Sequence, residues 1–164
     1  MENPDILARI EHDLSVSDDA MRSIPAGSTA AGPEPLGPVI DAYDRAAAIA
    51  DGTLVAVPEP IAREAGFRVP VGITRAAWID CVEWSDADSS RQTPQDEEGR
   101  LWDVLYMSVF AARRNRGRFT FPVELYRVPR DGQARSPRPT ALKCVFHVGD
   151  AGELIITISL PDED

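Results

Sequence analysis

Three stretches near the C-terminal end alternate apolar and polar residues so regularly that the pairing of strands can be read from them. In FTFPVELYR (119–127) the odd positions Phe119, Phe121, Val123 and Leu125 make one apolar face. In TALKCVFHV (140–148) the even positions Leu142, Cys144, Phe146 and Val148 do so, and in LIITISL (154–160) Leu154, Ile156, Ile158 and Leu160. A slip of one residue would turn a strand inside out, so inward faces must meet inward faces. That sets Val148 opposite Leu154 and Cys144 opposite Ile158, and leaves Gly149 to Glu153 as a five-residue hairpin loop with two glycines. The first two strands must pair so that partner numbers sum to an odd value. One such register puts Val123 opposite Cys144 and joins Glu124 and Lys143 as an opposite-charge pair on the outer face. Pro122 cannot donate to a ladder, which makes 119–127 an edge strand.

A sheet with one apolar face needs a cover, and the segment just before it supplies one. Between Leu101 and Ala112 only Asp103 and Ser108 are plainly polar, and the large residues recur at helical spacing. Asp96, Glu97 and Glu98 stand at the positive end of this helix and Arg113, Arg114 and Arg116 at the negative end, with Gly117 as the stop. Apolar nearly all round, it is expected to be a buried central helix. Earlier in the chain, RAAAIAD before Gly52, IAREAG with Pro60 in its first turn, and RAAWIDCVEW capped by Thr74 read as short helices. VIDAY (39–43), TLVAV (53–57) and PVGI (70–73) read as strands, and SDADSSRQTPQDEE (85–98) as an exposed acidic loop. At the start, Ile6, Leu7, Ile10 and Leu14 share a helical face, and SIPAGSTAAGPEPLGP (23–38) has linker composition. The expected organisation is an N-terminal helix and extension over 1–22, a flexible linker over 23–38, and a single domain over 39–164. The fold class expected is α+β. It has a C-terminal three-stranded antiparallel sheet packed by a buried central helix, with short helices and one or two extra strands before it.

The net charge of −10 reads as an acidic protein, unevenly built. Residues 113–143 hold 9 basic and 2 acidic groups, whereas residues 1–112 hold 8 and 20. No stretch is apolar for long enough to span a bilayer and the first residues do not form a signal peptide, so no membrane partner and a cytoplasmic location are expected. Cys81 and Cys144 form neither a disulfide framework nor a metal motif and read as small buried hydrophobes.

The succession IADGTLVAV, AREAGFRVPVGITRAAWIDCV, GRLWDVLYM and GDAGELIITISLPDED resembles an uncharacterised family of small bacterial proteins over about residues 40–164. The resemblance implies a setting on plasmids, phages and other mobile elements. It brings no activity, no cofactor and no catalytic residue.

Chemistry-bearing constellations are few. No phosphate-binding glycine loop is present, and Cys144 and His147 would point to opposite faces of their strand, so neither a cofactor nor a metal is expected. Two surfaces are candidates. The outer face of the sheet, with Tyr126, Lys143, Val145, His147, Ile155 and Thr157, is a candidate protein-interaction or self-association face. Arg113, Arg114, Arg116, Arg118, Arg130, Arg135 and Arg138 are candidate contacts to phosphates or an acidic partner, lining one end of the domain. Phe119 and Phe121 are expected to face the core, which argues against a base-stacking platform, as does the overall charge. The acidic residues 86–98 and the C-terminal DED offer a second, opposite idea, mimicry of a phosphate backbone. The leading expectation is a non-enzymatic protein-binding accessory factor of a mobile element, in its most specific form an inhibitor of a host defence system. A nucleic-acid-binding regulator using the arginine segment 113–138 is the second expectation, and a small enzyme with a site near His147 the third.

Overall fold

The structure, a computed structural model, describes residues 45–149 and 151–163. The chain divides into two units, Met1–Ala42 and Tyr43–Asp164, and the second is described. The expected N-terminal helix, the linker and the strand at 39–43 lie outside the described residues.

Local chemistry sets the short elements. The alanine-rich helix α1 (Arg45–Asp51) closes at Gly52, where φ is +82°. Strand β1 (Leu54–Ala56) leads to α2 (Glu59–Ala65), with proline in its first turn and Gly66 in the left-handed conformation as its cap. Thr74 ends β2 (Val71–Thr74) and caps α3 (Arg75–Cys81), its hydroxyl accepting from the Ala77 amide at 3.3 Å. Then follow α4 (Asp86–Arg91), the long helix α5 (Glu97–Arg114), β3 (Thr120–Arg127), β4 (Arg138–Val148) and β5 (Leu154–Ser159).

The fold is α+β. The three C-terminal strands form an antiparallel sheet, and β1 and β2 extend it to five strands in the order β1-β2-β5-β4-β3. β2 runs parallel to β5, with Val71 opposite Ile156 and Ile73 opposite Ile158. TLVAV therefore lies in the plane of the sheet, as its edge strand beside β2. Cys144 stands opposite Ile158 and Val148 opposite Leu154, as the alternation requires. Between β3 and β4 the parity is as expected but the register differs by two residues. Phe121, not Val123, meets Cys144, and Lys143 faces Pro122 instead of Glu124. Parity alone admits every odd sum; the long connection after β3 does not narrow the choice.

α5 lies on the inner face. Its Leu101, Val104, Leu105 and Val109 join Phe121, Val123, Leu125, Leu142, Cys144, Ile156 and Ile158 in one buried cluster, with Ala77 and Cys81 of α3 beside them. Each fully buried Leu or Ile contributes about 1.5–3 kcal/mol. Burial pushes the thiols of Cys81 and Cys144 up to about 12, so both stay protonated.

Two expectations are corrected. The stretch 85–98 is not simply an exposed loop. Ser85 and Asp88 form a reciprocal capping box that starts α4, and Asp88 and Gln92 are buried. α5 is not buried all round either, since Tyr106 and Phe110 are 65% and 45% exposed.

Candidate functional site

Three surfaces carry the polar and aromatic side chains, and the arginines sort among them. The first is an open groove of roughly 630 Å³ between α3, α4 and the β3–β4 loop, lined by Ala76, Ile79, Asp88, Arg91 and Arg130 among others. Its charges are spent on one another. Arg127 holds the Asp80 carboxylate with two nitrogens, at 2.7 and 3.1 Å. Arg130 donates to Asp88 at 2.7 Å and to Glu83 at 2.6 Å. The Ser85 hydroxyl first, and Arg130 after it, hold the Asp88 carboxyl down at about 2. Arg100 is buried and donates to the carbonyls of Val82, Val128 and Asp80, while its guanidinium lies 4.6 Å from the centre of the Trp84 ring. Gln92 ties the loop from the other side, donating to the Pro129 carbonyl at 2.7 Å and accepting from the Gly132 amide at 2.8 Å. This network fastens the proline-rich connection and leaves Arg130 engaged inside the fold.

The second surface is the outer face of the sheet. Tyr126 is 71% exposed, but Ile155 is buried and Val145 half-buried. Lys143 donates to the carbonyl of Glu163, whose carboxylate in turn accepts from the Thr74 hydroxyl at 2.7 Å. His147 Nε2 lies 3.1 Å from the Thr157 hydroxyl. Burial, then the charge of Arg45, pushes the imidazole below its ordinary range. A base beside a hydroxyl is half of a nucleophilic arrangement, but the charge facing this ring is a cation and not an orienting carboxylate.

The third surface joins three of the expected arginines to aromatic rings that the sequence pattern does not mark as exposed. α5 presents Asp103, Tyr106, Phe110, Arg113 and Arg114 to solvent, and the short turn into β3 adds Arg118 and Phe119. Phe119 is 69% exposed, not in the core. Its backbone is held, because its carbonyl accepts from the Phe146 amide at 2.7 Å. The ring is therefore displayed from a fixed backbone position at the start of β3. Arg114 lies 5.6 Å from the centre of the Phe110 ring. Between Val104 and Val123 the chain carries four arginines and no acid.

The seven candidate arginines do not line one end of the domain. Arg113, Arg114, Arg116 and Arg118 precede β3, whereas Arg130, Arg135 and Arg138 follow it, beyond a strand of eight residues. At about 3.3 Å per residue that strand separates the groups by roughly 25 Å. Arg130 pairs with Glu83 and Asp88, and Arg138 lies 4.0 Å from Asp131. Arg113, Arg114 and Arg118 carry no ion pair among the described residues.

The reading as an acidic protein is corrected by this charge arrangement. Every ion pair among the described residues has arginine as its cation, and the network is basic in character. The described residues hold 15 Lys and Arg against 16 Asp and Glu, so the excess of acids lies mainly elsewhere in the chain. Asp88, in the stretch offered as a phosphate mimic, is buried against Ser85, Arg91 and Arg130. No group of three or more His, Cys, Asp or Glu among the described residues is placed to hold a metal ion, and no helix among them is long and apolar enough to cross a membrane.

Residues 36–164 match the model of a family described as a family of unknown function (DUF6573). No curated protein and no solved structure matches the chain.

Proposed function

We propose that this chain, which belongs to the DUF6573 family of unknown function, is a non-enzymatic nucleic-acid-binding regulator whose contact surface is the outer face of α5 and the turn into β3. The observation that carries this reading is the exposure of Phe119, together with Tyr106 and Phe110, on the same helix and turn as Arg113, Arg114 and Arg118, which carry no ion pair among the described residues. Arginines that make no internal ion pair can engage phosphates at the cost of little desolvation, and exposed rings can engage bases. Of the two objections raised by the sequence, the core-facing phenylalanine holds for Phe121 but not for Phe119, and the acidic charge of the chain is set against a run without acids from Val104 to Val123.

The setting on plasmids, phages and other mobile elements is part of the same proposal and suits an accessory regulator. A second reading, a protein-binding factor that inhibits a host defence system, draws support from the same rings, since aromatics and arginine are the side chains that anchor protein interfaces.

The test is an electrophoretic mobility shift of DNA and RNA by the full chain, repeated with Arg113, Arg114 and Arg118 all changed to Gln. The wild type is expected to retard nucleic acid at low salt, and the triple variant to lose about two decades of affinity or more. Retardation that the triple variant retains in full would remove this surface from the proposal, and no retardation at all would favour the protein-binding reading.

A further inference from the structure

Resting on the nucleic-acid reading above, the geometry points to single-stranded nucleic acid as the occupant of the α5–β3 face, with bases stacked on Phe119, Tyr106 and Phe110. The argument begins with what α5 exposes. A helix that reads a duplex lies in the major groove and offers donors and acceptors to base edges along its length, typically from Arg, Lys, Asn or Gln. The solvent face of α5 offers a carboxylate, Asp103, then two rings, Tyr106 and Phe110, and places arginine only in its last turn. A carboxylate set between two strands of phosphates is repelled, and the rings find no partner, because a duplex hides the faces of its bases. An unpaired strand exposes those faces, and every base has one.

The rings are also presented in a way that suits stacking. Tyr106 and Phe110 are one helical turn apart, about 6 Å along the axis. Phe119 follows across a short turn and is held by its backbone bond to Phe146. Phe110 is partly covered by Arg114 and is the least exposed of the three, so it forms one composite platform with that guanidinium. Tyr106 and Phe119 remain open. Arg113 lies one turn after Phe110 on α5 and Arg118 directly precedes Phe119, both exposed and without ion-pair partners among the described residues, available to a single strand's phosphates. No acid lies between Val104 and Val123 in sequence, and Asp103 stands at the end of this face away from Arg113, Arg114 and Arg118.

The experiment is fluorescence anisotropy with the full chain and two probes, a dye-labelled oligothymidylate and a labelled duplex of the same length. Four proteins are compared: wild type, Phe119→Leu, Phe119→Trp, and Tyr106→Leu with Phe110→Leu. The substituted side chains are solvent-exposed, and circular dichroism checks that each variant keeps its fold. Wild type is expected to bind the single strand at least tenfold more tightly than the duplex. F119L is expected to weaken single-strand binding about tenfold with duplex binding unchanged, and F119W to restore it. Equal affinity for the two probes, or single-strand binding indifferent to loss of all three rings, would overturn this inference while leaving the nucleic-acid reading in place. Failure of the wild type to bind either probe would remove both.

Discussion

Arg100 sits at 4% exposure in the first turns of α5, a charged side chain buried just before the apolar run begins. It is tolerated because its planar fork reaches three carbonyls on two separate segments and its face meets Trp84. A lysine has the charge but not the fork, and would leave two of those carbonyls buried without a donor. Arg100→Lys is therefore expected to lower stability by about 2–4 kcal/mol in urea unfolding; a loss within 0.5 kcal/mol, roughly the noise of a surface substitution, would show the fork to be dispensable. Asp88 supports the same corner through its charge. Its folded pKa of about 2 lies below the ordinary 3.8, held there by the Ser85 hydroxyl and then by Arg130. The unfolded chain binds the proton more readily, so the stability Asp88 contributes is complete above about pH 4 and is lost as pH falls through about 2. Asp88→Asn is expected to flatten the acid limb of stability against pH between those values. An unchanged slope from pH 4 to pH 2, about the window just derived, would place the acid sensitivity elsewhere.

At the scale of elements, what could be read in advance depended on how sharply a pattern selects one answer. β4 and β5 alternate strictly and are joined by a short loop, so only one register buries Cys144 against Ile158. β3 alternates as well, but its long connection to β4 allows slips of two residues, and the register that places Phe121 against Cys144 is chosen by packing. α5 shows the opposite limit. When Tyr106 and Phe110 are as apolar as Leu105 and Val109, periodicity cannot say which stripe faces the sheet. The candidate surface is hidden for that reason, although the run without acids from Val104 to Val123 is in plain view. α4 is marked only by a Ser-x-x-Asp capping box, a signal masked by the acidic, aperiodic composition around it. The edge strand was legible from Pro122 alone. The amide of Phe146 donates to the carbonyl of Phe119, so in an antiparallel ladder the odd residues of β3 bond to β4 and the even ones turn their amides outward. Pro122 thus removes a donor from the open edge, where it would otherwise invite another strand. Pro122→Val is expected to leave the fold intact and to raise self-association, read as a concentration-dependent shift in sedimentation. A variant as monodisperse as its parent would mean that the exposed charges of the edge already suffice.

For the molecule as a whole, the decisive fact is that β3 holds two arginine groups apart. They look alike in composition but stand in different surroundings. Arg113, Arg114 and Arg118 carry no ion pair among the described residues and share a helix and turn with the exposed rings, whereas beyond β3, about 25 Å away along the strand, Arg130 is tied to Glu83 and Asp88. A phosphate contact reveals itself in the salt dependence of binding, since each neutralised phosphate releases condensed counterions. For a single strand each contact adds about −0.7 to the slope of log affinity against log salt. Changing Arg113, Arg114 and Arg118 to Gln in the full chain is expected to make that slope shallower by about 2. Changing Arg135 and Arg138 to Gln should leave it within experimental error of the wild type. The comparison also controls for net charge, because long-range attraction responds to any lost arginine, whereas counterion release responds only to those in contact. Equal flattening by both sets would mean that nucleic acid is held by the diffuse field of the domain, and the α5–β3 face would lose its claim to be the site. A flattening confined to the first set would locate the contact at the end of the molecule where the helix C-terminus, the turn and the first residue of the edge strand converge.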